Sequence, residues 1–351
     1  AVATKTEDVA SPAEAPGGSA AAAPPRDTGH EVLGSADVFV ANASDPLWGH
    51  FTQFVADFGK RYSPEEVWKR FAAFKESFLA IQACNAQNYT FTCGLNEHAD
   101  ITHEEFVRTH LGEDPSLEDP SLEDEGEARA ETPSPSAVEA PAVGSSDSLP
   151  SAVDWIQKGV VTPVLNQGGC GSCWAFAATG AMSSAWAIKT NSLVQLSQQQ
   201  LLDCSPGSCR GWLAKWAFHW AMTRSLCTAA SYPYTGVQKR CSGSRCTGPC
   251  CQALARGRVS GYHDVTPRSE TALLQAVVGQ PVAVSIRGSA PAFRHYRQGI
   301  ISHGCGVHPN HAVLVVGYTR GAWVAKNSWG TTWGERGYVR IARGRGPIGS
   351  G

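Results

Sequence analysis
No apolar stretch in this 351-residue chain comes near the roughly 20 residues that a membrane-spanning helix needs, so the sequence predicts no bilayer crossing. Nothing at the start resembles a signal peptide, and residue 1 is Ala rather than Met; the expectation is that the natural start has been trimmed or omitted. Carboxylates are scarce, but only in one half. Residues 149–351 hold 5 Asp and Glu against 20 Lys and Arg, a charge of +15, whereas residues 1–148 hold 26 against 9, a charge of −17. Such halves attract each other at neutral pH, which favours a pairing within the chain over nucleic acid or another polyanion as the basic half's partner. The plainer reading is an acidic disordered segment that happens to precede a basic domain.

Cysteine, by contrast, is plentiful. Twelve cysteines, with sequons at Asn42 and Asn88, point to an oxidising secretory compartment.

The chain changes character several times. Residues 1–45 are rich in Ala, Pro, Ser and Gly, have little to bury, and are expected to be disordered. Over 46–111, Trp48, Phe51, Phe54, Val55 and Phe58 recur at helical spacing, and Phe71, Phe74, Phe78 and Ile81 follow 3, 4 and 3 apart. Ser63-Pro-Glu-Glu reads as a capping box with Pro at the first helical position, so two amphipathic helices are expected to form a small helical domain. Residues 112–148, with the tandem repeat EDPSL EDPSL, read as an extended acidic linker. From Leu149 the sequence is globular. It predicts a helix from Cys173 to about Lys189, another over 212–223, and strands in 281–288, 311–318, 322–329 and 337–344. Helices before strands predict an α+β domain with two lobes.

The stretch NQGGCGSCWAF (166–176) holds Cys170 and Cys173. That spacing suits a zinc half-site, a redox pair, or a structural cysteine beside a reactive one. The later cluster Cys241, Cys246, Cys250, Cys251 contains adjacent cysteines that do not fit common zinc-finger spacings, and no thioredoxin-like βαβ pattern flanks the pair. The third reading has the most support. Cys173 stands where a Gly-rich loop enters a helix, whose N-terminus stabilises a thiolate. His311 precedes a Val-rich strand, and Asn327 lies in KNSWG beside Trp329. A Cys/His/Asn set, with the Gln167 amide as an oxyanion donor, suits acyl transfer.

NQGGCGSCWAF, NHAVLVVGY and KNSWGTTWGERGYVRI together closely resemble the papain family of cysteine proteases, and the resemblance runs from LPSAVDW (149–155) almost to the end. Upstream, Glu66, Arg70, Phe74, Ile81 and Asn85 resemble the ERFNIN inhibitory propeptide, with Ser77 in place of the Asn expected between Phe74 and Ile81. Gly94, Asn96 and Asp100 resemble the accompanying Gly-x-Asn-x-Phe-x-Asp pattern, with His98 in place of Phe. The resemblance implies a papain-like two-lobed protease, one lobe helical and one β-rich, over 149–351, preceded by a helical prodomain that runs through the cleft in reverse of substrate direction. It implies Cys173 as nucleophile, His311 as proton acceptor, Asn327 as its orienter under Trp329, and Gln167 with the Cys173 N–H as oxyanion hole. It implies substrate-binding positions at Gly211, Trp212, Pro309 and Trp333, a Cys170–Cys209 disulfide, and a Cys204–Cys241 disulfide for which Cys246, Cys250 or Cys251 are alternatives to Cys241. No cofactor or metal is implied. Protein or peptide substrates, the chain's own prodomain and cystatin-like inhibitors are the implied partners of a monomer in an acidic lysosome-like compartment or outside the cell.

An ERFNIN prodomain and the absence of His from the insert CSGSRCTGPCC (241–251) point to the cathepsin L-like branch and to an endopeptidase. Two departures stand out. Trp212 replaces the second Gly of Cys-x-Gly-Gly and is expected to crowd the substrate wall or alter specificity. The chain also ends in RGPIGSG where the family continues, leaving Cys305 without its family partner and the pairing of Cys227, Cys246, Cys250 and Cys251 open. These departures motivate the alternative of a non-catalytic binding or structural protein with a papain fold.

Overall fold
The computed structural model describes residues 45–112, 149–242, 252–267, 269–306 and 308–344. Asn42, Cys246, Cys250, Cys251, most of the two low-complexity segments and the end of the chain lie outside them. Among the described residues, no helix is long and apolar enough to cross a membrane and no cluster of three His, Cys, Asp or Glu side chains is placed to hold a metal ion.

Described residues up to Phe71 form one compact unit and those from Ala72 a second. The first contains α1 (Trp48–Asp57) and the opening turns of α2 (Pro64–Ala86). One half of the capping box is formed: the Glu66 carboxylate accepts from Ser63 N–H at 3.3 Å, while Glu66 N–H donates to the Ser63 main-chain O, with Pro64 at the first helical position. Trp48 meets Trp68 and Phe71, and Phe51 meets Tyr62 and Phe71, at centroid separations of 4.9–5.9 Å. Aromatic rings at helical spacing thus make a small core of their own.

The second unit divides the expected helical prodomain, because everything from Ala72 belongs with the later chain. The reason is main-chain pairing. Strand β1 (Phe91–Cys93) runs antiparallel to β6 (Tyr296–Ile301), with Phe91 opposite Gly299. A Cys84–Cys93 disulfide ties the end of α2 to β1, and the Asn85 side chain accepts from Cys93 N–H and donates to Cys93 O. Neither the strand nor the disulfide was expected. A short helix α3 (His103–His110) follows, capped by Thr102, whose hydroxyl accepts from Glu105 N–H at 3.1 Å.

The rest is a helical layer and a sheet layer. Helix α4 (Cys173–Thr190) is buried almost all round, as its Ala-rich composition allows. It packs with α5 (Gln198–Cys204) and α6 (Ala214–Met222) around Trp174, Ala178, Met182, Leu201 and Ala217. Its other face meets β7 (His311–Tyr318), and a Cβ added at Gly180 would come within 2.9 Å of Leu314. Strands β3 (Leu226–Cys227) and β4 (Gln252–Leu254) form a two-stranded ribbon. The main sheet adds β2 (Val153–Asp154), β5 (Val282–Ile286), β8 (Ala322–Lys326) and β9 (Tyr338–Ala342) in the order β1-β6-β9-β8-β7-β2, with β5 also on β7. All its pairings are antiparallel except β6 with β9. Helices α7 (Glu270–Gly279) and α8 (Pro291–Arg294) complete the fold, with Leu273, Val277 and Phe293 in the sheet-side core. The chain is α+β, with its helices and strands largely in separate layers.

Candidate active site
Cys173 opens α4 and is fully buried. It packs with Ala177 and with Ala312, the residue that follows His311 on β7. The helical layer and the sheet layer therefore meet at these two positions. His311 Nε2 lies 2.7 Å from Asn327 Oδ1, which also accepts from Ser328 N–H. An oxygen that accepts twice is the amide carbonyl, so Nε2 carries the imidazole proton and Nδ1 is left as the basic nitrogen. That Nδ1 is buried and makes no hydrogen bond. The ring of Trp329 covers the imidazole at 4.5 Å. Burial pulls His311 down to about 4, partly offset by the Asn327 hydrogen bond, with His110 pushing further down.

Gln167 is held from three sides. Ser328 Oγ donates to its Oε1 at 2.6 Å, and its Nε2 donates to Cys170 O at 2.9 Å and to His110 O at 2.8 Å. Tyr234 donates to Gln167 O and contacts Ser172 Oγ; burial pushes its phenol up to about 12. Sulfur bridges pin the loop around this set. Cys170 is joined to Cys209 and Cys204 to Cys241, while Cys173 is not in a disulfide. Cys227 is also disulfide-bonded.

Residues 149–349 match the papain family cysteine protease model, and residues 51–106 match the cathepsin propeptide inhibitor domain (I29). The chain belongs to the papain family of cysteine proteases. It is 34% identical over 304 residues to senescence-specific cysteine protease SAG39 of Oryza sativa subsp. japonica, covering 83% of each chain. It is also 34% identical to vignain of Ricinus communis, over 86% of this chain and 82% of that one. The crystal structure of the Amb a 11 cysteine protease, a major ragweed pollen allergen, in its proform superposes with a TM-score of 0.72 at 31% identity, over 92% of this chain and 96% of that one. This protein is a cysteine endopeptidase zymogen, with its own prosegment as inhibitor.

The prosegment fills the cleft. His110 O takes the Gln167 amide, Gly112 O accepts from Trp212 N–H at 2.8 Å, and the Leu111 side chain lies beside Gly288, where an added Cβ would meet both Leu111 and His311. Three glycines cross where the chain is tightest. A Cβ on Gly112 would fall 1.8 Å from Gly171 O, and one on Gly211, whose φ is +126°, would fall 2.1 Å from Gly112 O. On the opposite wall, Phe106 packs edge-on to Trp329 at 5.2 Å and lies under the Arg294 guanidinium at 4.6 Å. His98 fills the aromatic position expected of Phe, contacting His110 at 4.6 Å and Trp329 at 5.4 Å. Asn96 donates to Arg294 O, Gly94 N–H donates to His295 O, and Asp100 is buried. In the ERFNIN set, Arg70 and Glu66 sit 4.0 Å apart, Phe74 is fully buried against Phe78, and Ile81 joins the sheet-side core.

Two substrate-binding expectations need correction. Trp212 does not crowd the wall: its indole turns into the helical layer, edge-on to Trp174 at 5.3 Å, while its main-chain N–H donates to Gly112 O. Trp333 is fully buried, meeting Trp329 and Phe293 and donating its indole N–H to Arg294 O, so it buttresses Trp329 rather than presenting a surface. Pro309 is half-buried just before β7. Asn88 is exposed, and its sequon's Thr90 hydroxyl donates to Ile300 O. Cys305 is a half-buried free thiol, pushed up to about 11 by burial. Sequence reasoning missed Ser328, Tyr234 and Lys326. The last is buried, donates to Thr162 O and Oγ1, and is pulled down to about 8. Ser328 lies in the KNSWG motif and was within reach; Tyr234 carries no local signal.

Proposed function
We propose that peptide-bond cleavage runs through Cys173, His311, Asn327 and Gln167. The observation that carries this assignment is the His311–Asn327 hydrogen bond, which leaves Nδ1 as the base. His311 Nδ1 takes the Cys173 proton, and the sulfur attacks the scissile carbonyl carbon. Gln167 and the Cys173 N–H hold the resulting oxyanion. Collapse breaks the C–N bond, and the imidazolium protonates the leaving amine. Water then attacks the thioester, His311 accepting its proton and returning it to sulfur, which releases the acid product.

In the zymogen the Gln167 donor is taken by His110 O, and His311 is too deeply buried to ionise readily. Acidification loosens this arrangement, and cleavage in the 113–148 segment completes activation. Trp212's indole, turned into the helical layer against Trp174, leaves the non-catalytic reading without its main support. An acidic compartment of the secretory pathway or the extracellular space, a monomer, and cystatin-like inhibitors fit this activity. The test is turnover of a fluorogenic dipeptide after incubation at acidic pH with a thiol, beside Cys173→Ala. Activity appearing as the first ~150 residues are lost, and absent in the variant, is expected. Processing of the wild type without activity would sink the assignment.

A further inference from the structure
Among the described residues, Arg294 is the one strongly buried guanidinium in the β-side wall of the cleft, with 5% of its surface exposed. It stands one residue after Phe293, which packs on both His311 and Trp329. Its side-chain partners come from the prosegment. Nη2 donates to His98 O at 2.8 Å and to Ile101 O at 2.6 Å, and its plane covers the Phe106 ring. Its Nε is buried without a hydrogen-bond partner. Burial pulls the group down to about 10, and the carboxylates that work against this are Asp100 and Glu76. Both precede residue 149. When the prosegment leaves, Arg294 loses two acceptors, a stacked ring and two countercharges together, beside Trp329 and in a domain with only five carboxylates.

A buried cation stripped of its partners must be hydrated or find an anion, and a guanidinium fork is matched by a carboxylate. We propose that Arg294 is a specificity-determining residue of the mature enzyme, binding a substrate carboxylate on the Trp329 side of the cleft. The carboxylate is either an Asp or Glu side chain or the peptide's own C-terminus. This inference rests on the peptidase reading.

The test uses the full chain after processing. Internally quenched peptides carry a single Asp or Glu, or the matching Asn or Gln, at each of three positions on either side of the cut. A second set compares a free C-terminal carboxylate with its amide, which separates the two sources. One position, on one side only, should favour the carboxylate in kcat/KM by roughly tenfold or more, as expected for a charged hydrogen bond. Arg294→Gln should remove that ratio and Arg294→Lys should keep part of it. Should the variants not fold, the wild-type ratio should itself shrink as ionic strength rises. Turnover without any carboxylate preference, or a preference that survives in Arg294→Gln, would overturn this proposal alone. Absence of turnover on every peptide would overturn the peptidase reading along with it.

Discussion
On the wall formed by Gly171, Gly211 and Trp212, the prosegment is held by main-chain atoms: Gly112 O meets an amide N–H, and three glycines lie against one another without Cβ atoms. On the wall formed by Phe293, Arg294 and Trp329 it is held by side chains, among them Phe106 and His98. The first wall is indifferent to sequence beyond demanding a small residue. The second reads chemistry. An endopeptidase needs the first to accept many peptides.

Four experiments press on this contrast, each read as the rate at which an epoxysuccinyl inhibitor labels Cys173 in the uncleaved chain. Phe106→Ala should have the largest effect. Truncating a buried Phe costs about 3–5 kcal/mol, so labelling should accelerate roughly 100-fold or more. An unchanged rate would mean the side-chain wall does not hold the prosegment. Gly112→Ala forces a Cβ into Gly171 O. At about 1–3 kcal/mol of overpacking, a rise of roughly 10–100-fold is expected, and a smaller one would show that the glycine crossing has slack.

The third variable is pH. His311, ordinarily at 6.5, sits near 4 in the closed state, so the closed state binds fewer protons than the open one and is favoured at high pH. Closure should weaken as pH falls below about 6.5, by up to about tenfold per unit, and level off near 4. Labelling normalised to the processed enzyme at each pH measures this, and a flat profile between 6.5 and 4 would contradict it. The smallest effect belongs to Trp212→Ala. The amide that holds Gly112 survives, so labelling should stay within about threefold, whatever the lost contact with Trp174 costs in stability. A large change would show that the indole itself meets the prosegment.

Much of this was legible from sequence where a periodic signal ran long. The central helix begins at Cys173 as read, the strand at 311–318 has the expected bounds, and the Glu66 half of the Ser63 capping box is formed. What escaped depended on partners far along the chain. Phe91–Cys93 is three residues long and becomes a strand only because β6 offers an edge. Gln198–Cys204 is too short for a clear period, and its glutamines are buried because each amide has a partner: Gln199 on Asp203 and Val237 O, Gln200 on Ser225 O and Cys227 N–H. At the site, the motif residues could be named in advance. The direction of Trp212's side chain could not, since it depends on the space beside Trp174 and Gly207, where an added Cβ would come within 2.5 Å of the Trp174 ring.

The pairing of β1 with β6 has a consequence for the life of the enzyme after activation. While the prosegment is in place, β6 is an interior strand; once it is gone, β6 is a border with open amides and carbonyls, the kind of surface on which copies of a protein polymerise. The strand is ill suited to that fate. It reads Tyr-Arg-Gln-Gly-Ile-Ile, its glycine adopts φ of +100°, and its Arg297 and Gln298 face solvent. A cation and a break in extended backbone, placed where the departing strand had been, disfavour the pairing of a second copy's strand in the gap.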